Sequence, residues 1–221
     1  AYADGSNPSK DENGYRWCCN SVRVQNGRLA FVYGPDAPGD DSWAEQRLAF
    51  PQKTELWVRY RLTIPANYVH RQDPPSNNKF LAIYNNDHMG PYHYVNFSTE
   101  PNGSGGSVLD VRRYLAGAEQ GSIPCANGQD FISAAWLGAT VEIIAHVRSS
   151  TGVSAGDGAV QMWADRARVC NATGLDLYFN DTQTYFDQLY LLGWSNSGFT
   201  EQTTLHIDNF EMADANLWGV N

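Results

Sequence analysis

The stretch Tyr190–Met212, YLLGWSNSGFTEQTTLHIDNFEM, decides the fold. It reads as two strands joined by a polar loop, Ser195–Thr203, rich in Ser, Asn, Gly and Thr. The first strand is apolar on both sides through Leu189, Tyr190, Leu191, Leu192 and Trp194, the pattern of a strand in the middle of a two-sheet sandwich. In the second, Leu205 and Ile207 alternate with His206 and Asp208. The alternation changes phase at Asn209, so Phe210 and Met212 follow Asp208's side. Such a change signals a bulge or bend, because one extra residue exchanges the two faces of everything after it.

The same alternation extends back along the chain. Val22–Tyr33, VRVQNGRLAFVY, carries Asn26-Gly27, a strong hairpin signal because both turn positions need positive φ. After the loop Gly34–Asp41, the segment Ser42–Phe50 sets Trp43, Glu45 and Arg47 against Ala44, Leu48 and Phe50. In Glu55–Ile64, Leu56, Val58, Tyr60, Leu62 and Ile64 share one face and Trp57, Arg59, Arg61 and Thr63 the other. Val141–Arg148 opposes Val141, Ile143, Ala145 and Val147 to Glu142, Ile144, His146 and Arg148, and AVQMWADRARV then reads as a hairpin. About twelve strands with almost no helical periodicity and no internal repeat predict an all-β, two-sheet antiparallel jelly-roll sandwich. Residues 1–20 read as an irregular arm, 21–212 as one domain and 213–221 as a tail.

Composition agrees. A chain of 221 residues with 20 Gly, 10 Pro and 13% aromatics suits many short strands joined by turns. A net charge of −9 argues against nucleic acid as partner, since phosphate neutralisation needs a cationic surface. No apolar run reaches the length of a membrane-spanning helix. The chain starts at Ala without Met, compatible with removal of a leader. Of Cys18, Cys19, Cys125 and Cys170, the adjacent pair would point to opposite faces of an extended segment. Two separate bridges to Cys125 and Cys170 are therefore the expectation, with free buried thiols as the alternative. Asn-x-Ser/Thr sequons at Asn96, Asn102, Asn171 and Asn180 are compatible with secretion. The expected setting is extracellular, secreted or on a virion or cell surface.

With the apolar faces in the core, the opposite faces carry Trp43, Glu45, Arg47, Trp57, Arg59, Arg61, Glu142, His146, Arg148, Gln161, Trp163 and Asp165. Rings stack on the apolar faces of pyranoses, and planar donors pair with hydroxyls and carboxylates. Trp43, Trp57, Arg61, His146, Arg148 and Trp163 are thus candidate carbohydrate-binding residues on one groove. The alternative is a solvated sheet face with ordinary cross-strand charge pairs.

LWVRYRLTIP, NNKFLAIYN, DGAVQMWADRARV and the closing YLLGWSNSG…LHIDNFEM together resemble the concanavalin A-like lectin/glucanase superfamily over roughly residues 20–212. The branch most similar in flavour is the alginate/glucuronan lyase-like polysaccharide lyases. That resemblance implies a site where Arg, Asn/Gln or His neutralises a uronate carboxylate while Tyr or His moves the proton. The alginate lyase-like pattern R-x-E-x-R corresponds to Trp43-Ala-Glu45-Gln-Arg47, which has Trp at the first Arg. Its Q-x-H corresponds to Ala82-Ile83-Tyr84, and its late Tyr to Ser195, beside a retained Asn196. A lyase would then use Arg47, Arg59, His93, Tyr94 and Arg112, with His93 and Arg112 as neutraliser and proton shuttle. The alternative makes Tyr92 and Tyr94 interfacial aromatics and His93 a surface residue. The paired carboxylates of retaining glucanases are absent.

Asp208, with Asp4, Asp11 and Glu12, is similar to structural calcium sites of related jelly rolls, so Ca²⁺ is a candidate cofactor. Alternatively, Asp208 caps the bulge through local backbone amides. Three functions follow: a polysaccharide-binding jelly roll, a lyase of a uronate glycan, or a structural protein of a virion or appendage. The last would dock protein partners through the arm and the tail, where Leu217-Trp218 reads as exposed.

Overall fold

The computed structural model describes residues 22–38, 40–85, 93–115, 118–125, 130–178, 185–196 and 198–220. Among them, fourteen strands form two antiparallel sheets. The back sheet runs β1 (Val22–Gln25), β2 (Arg28–Tyr33), β14 (Thr203–Ala213), β4 (Glu55–Thr63), β10 (Thr140–Arg148), β11 (Gly158–Ala164) and β12 (Ala167–Leu175). The front sheet runs β3 (Ser42–Lys53), β13 (Phe186–Ser195), β5 (Asn78–Tyr84), β6 (Tyr94–Pro101), β7 (Ser107–Leu115) and β8 (Ala118–Ile123). A short β9 (Asp130–Ile132) pairs with β7. The expected all-β sandwich is the observed one, with two more strands than the sequence suggested.

Period-two alternation builds the core. Leu56, Val58, Tyr60 and Leu62 of β4, with Val141, Ile143, Ala145 and Val147 of β10, meet Leu81, Ile83, Val95, Phe97, Leu189 and Leu191 of the front sheet. Truncating one such residue, as in Leu62→Ala, costs about 2–5 kcal/mol through lost transfer energy and the cavity left behind. Asn26 and Gly27 take φ 52° and 76°, the turn that the Asn-Gly pair announced.

Two bulges shape the stretch from which the fold was read. In β14, Asp208 and Glu211 pair with Arg61 and Arg59, so Asn209 and Phe210 share the space of one residue. Asn209, at φ 51°, absorbs the extra residue, and this is the phase change seen in the sequence. In β13 the pairing to β5 slips between Leu191 and Ser195, while the pairing to β3 runs on unbroken. Leu192 at φ 55° and Gly193 at φ 134° carry that slip.

The cysteine expectation is corrected: Cys125, just after β8, bonds to Cys170 of β12 and joins the outer edges of the two sheets. Cys18 and Cys19, like the whole 1–20 arm, lie outside the described residues. Of the sequons, Asn96 is only 1% exposed, out of reach of a glycan in the folded state, whereas Asn171 is exposed. Asn180 lies outside the described residues.

Candidate functional site

The outer face of the front sheet is built row by row from its register. One row runs Arg47, Tyr190, Ala82, Asn96, Arg112 across β3, β13, β5, β6 and β7. The next runs Gln188, Tyr84, Tyr94, Tyr114. Ala82 is the small residue among these side chains, and Tyr84, Tyr94 and Tyr190 close over it as an aromatic floor. The Tyr94 and Tyr190 hydroxyls share a hydrogen bond of 2.6 Å. Tyr114 packs its ring 5.0 Å from that of Tyr94, and its hydroxyl donates to Glu119 at 3.1 Å.

The β13 bulge brings two further groups, Lys79 and Glu45, to this floor. A Cβ on Gly193 would lie 3.1 Å from Lys79 Cβ and 3.2 Å from both Glu45 Oε2 and a Tyr190 ring carbon. Lys79, Glu45 and Tyr190 therefore converge on one backbone position that only glycine fills without strain. Lys79 Nζ donates to Asn77 Oδ1 at 2.8 Å, which also accepts from Asn196 at 3.1 Å. Glu45 is buried, pairs with Arg47 and accepts from Trp43 Nε1 at 3.1 Å. Trp43 stacks on Trp194 with centroids 5.2 Å apart and planes 11° from parallel. On the far side, Arg112 donates to Asp110 at 2.5 Å and to Glu119 at 3.1 Å. Asn96 stands beside it in register, with its Oδ1 buried and accepting no hydrogen bond from the described residues.

Burial shifts the titration of three of these groups. Burial pushes the pKa of Tyr94 and Tyr190 well above that of a free phenol, so both keep their protons at neutral pH. Burial, and then the charge of Arg112, lowers the pKa of Lys79 from its ordinary value. Groups whose environments separate them in this way are what acid–base chemistry needs.

The residues singled out in the sequence fall in three places. Trp43, Arg47, Tyr94 and Arg112 lie on this front face. Arg59, Arg61, Trp57, His146, Arg148, Trp163 and Asp208 belong to the back sheet, so the single groove expected from alternation is corrected to two opposite faces. On the back sheet Trp57 stacks on His146 at 4.0 Å and on Trp163 at 5.7 Å, and Trp57 and Trp163 are buried together with Val220 of the tail. His146 is held between Gln161 at 2.9 Å and Glu55 at 2.8 Å, and Arg148 donates to the Asp157 carbonyl at 2.8 Å. Arg59 pairs with Glu211 at 2.6 Å beneath the ring of Trp218, so of the tail pair read as exposed, Leu217 alone is largely so, at 71%.

His93 is corrected too. It precedes Tyr94 on an extended segment and so points the other way, into the core, 4.9 Å from the Phe186 ring. Burial and then Arg113 lower its pKa to about 4, and neither ring nitrogen has a hydrogen-bond partner among the described residues. Asp208 pairs with Arg28 at 3.1 Å; its expected acidic companions Asp4, Asp11 and Glu12 lie outside the described residues. Among the described residues no group of three or more His, Cys, Asp or Glu could hold a metal ion.

Lys79, Asn96 and Tyr190 were not singled out as site residues. Tyr190 reads as one more apolar residue of a two-sided strand. The β5–β6 pairing slips between Lys79 and Leu81, and both Phe80 and Leu81 enter the core, so alternation does not assign Lys79 a face.

No protein-family profile matches the chain, and no curated protein matches it by sequence. In structure it is similar to an alginate lyase variant solved in complex with an alginate tetrasaccharide, with TM-score 0.66 and 14% identity over 90% of this chain and 85% of that one. An alginate lyase from a Chlorella virus gives TM-score 0.61 and 10% identity, covering 88% of each chain. An endo-β-1,4-glucuronan lyase from the fungus Trichoderma reesei gives TM-score 0.57 and 11% identity over 88% of this chain and 84% of that one. These likenesses establish the fold, the concanavalin A-like jelly roll found in polysaccharide lyases.

Proposed function

We propose that the front face binds a uronate-containing polysaccharide and cleaves it by β-elimination. The hydrogen-bonded Tyr94–Tyr190 pair beside Lys79 carries this reading. The Lys79 amine accepts the C5 proton, and the released electron pair forms the C4–C5 double bond as the C4–O bond breaks. The Tyr190 hydroxyl donates its proton to the leaving oxygen, with Tyr94 as its hydrogen-bonded neighbour. The Arg112 guanidinium faces the carboxylate whose charge builds up during proton loss. Support also comes from the fold, shared with two alginate lyases and a glucuronan lyase. A secreted or surface setting goes with this reading and is supported by the Cys125–Cys170 bridge.

A second reading, glycan binding without cleavage, is favoured by the prior pairing of Arg47 with Glu45 and of Arg112 with Asp110 and Glu119. The Trp43–Trp194 stack would then supply the sugar platform. Incubation with glucuronan, alginate and pectate, followed by ultraviolet absorbance of the unsaturated uronate, separates the two. Rising absorbance establishes the lyase; saturable binding with flat absorbance leaves the second reading. Neither binding nor absorbance sinks both.

A further inference from the structure

On the back sheet, away from the tyrosine floor, lies a cleft of about 470 Å³ lined by Arg59, Arg61, Glu142, Asp165, Arg166 and Asn209. It is a built feature. The β11–β12 turn puts Asp165 and Arg166 at φ 44° and 66°. That turn is fastened to β10 by the Asp165 amide donating to the Glu142 carbonyl and the Glu142 amide donating to Asp165 Oδ1, each at 2.8 Å. The β14 bulge, with Asn209 in the left-handed region, forms the opposite wall.

Three guanidinium groups face this cleft in a chain whose net charge is −9. Arg59 is already paired with Glu211 at 2.6 Å, but Arg61 and Arg166 have no carboxylate at hydrogen-bond distance. Glu142 is shared at 3.7 Å with Arg59 and at 4.0 Å with Arg166, beyond hydrogen-bond length. One oxygen of Asp165 is engaged by the backbone, and Arg61 has neither a hydrogen-bond nor an ion-pair partner among the described residues. Guanidinium forks match a carboxylate bidentately.

We infer that this cleft is a second, non-catalytic binding site for uronate residues of the same polysaccharide, holding their carboxylates through Arg61 and Arg166. The inference rests on the reading of the front face as a site for uronate glycans. A site on the opposite face would keep the protein on a long chain between cleavage events by raising the effective local concentration of substrate.

The test uses protein carrying Lys79→Met, which leaves the glycan intact. Oligoglucuronate and oligoalginate are titrated in while NMR follows the Arg Nε–H signals of Arg61 and Arg166 and the indole signals of Trp43 and Trp194. The expected result is saturable shifts at both faces, with Arg61→Ala plus Arg166→Ala weakening the back-face site more than tenfold and leaving the indole shifts in place. Indole shifts without arginine shifts overturn the second site and leave the front-face reading standing. Glycan-induced shifts of the Arg59 Nε–H signal that keep their affinity in the double variant also overturn it. Silence at both faces with every uronate glycan removes the front-face reading and this inference together.

Discussion

The two outer faces of this sandwich start from the same ingredients and end differently. Both alternate aromatic rings with arginines and carboxylates. On the back sheet Trp57, His146 and Trp163 stack under the chain's own tail, where Val220 is 5% exposed, so the aromatics act there as a small second core. On the front sheet Tyr84, Tyr94 and Tyr190 also form a floor, but each ends in a hydroxyl, and Lys79, Glu45 and Asn96 border it. Tryptophan under a tail stabilises; the tyrosine floor beside Lys79 is where the proposed proton transfer would take place.

The contrast breaks most sharply at its chemical end. Lys79→Met or Tyr190→Phe should each lower turnover by roughly 10²–10⁴-fold, the usual worth of a positioned proton donor or acceptor. The fold should survive, as near-ultraviolet circular dichroism would verify. A rate within a factor of a few of the parent would dissolve the distinction between the faces.

The space between the faces supplies the next effect. His70 and His93 are buried neutral, each with a pKa lowered to about 4, chiefly by burial. The unfolded chain takes up these protons below about 6.5, while the folded protein does so only near 4. Their contribution is therefore complete above pH 6.5 and is lost as pH falls from there to 4. At about 1.4 kcal/mol per unit, the loss is on the order of 3 kcal/mol for each histidine. Urea unfolding at a series of pH values should show this fall, and His93→Leu should remove about half of it, leaving the share of His70.

On the tail side, Val220→Asp should destabilise by roughly 1.5–3 kcal/mol, since a buried valine becomes a charge over the Trp57–Trp163 stack. Front-face turnover at a temperature where the variant is folded should not change. The smallest effect belongs to the surface: Arg59→Gln, which releases Glu211, should cost under about 1 kcal/mol, as exposed ion pairs do.

Much of the fold was readable from residue order. Asn26-Gly27 marked its turn, the alternation of β4 and β10 named the core residues, and the phase change at Asn209 announced its bulge. The site was less readable for a definite reason. Alternation tells which residues point away from the core, but not which of two sheets carries them, so Trp57 and Trp43 looked like neighbours. It also fails at bulges, where Lys79 and Gly193 sit. Coverage is invisible to it as well: only the folded tail shows that Trp163 is 1% exposed. Parity did contain the fate of His93, because a residue next to Tyr94 on an extended strand cannot share its face.

The central claim is that a tyrosine–lysine site on the front sheet eliminates across a uronate linkage. Its most direct test is the initial rate of unsaturated-uronate formation from glucuronan and alginate, compared among the parent, Lys79→Met and Tyr190→Phe. The account predicts steady formation by the parent on at least one polymer and a loss of at least about a hundredfold in both variants. Equal rates in all three, or chain scission that yields reducing ends without unsaturation, would contradict it.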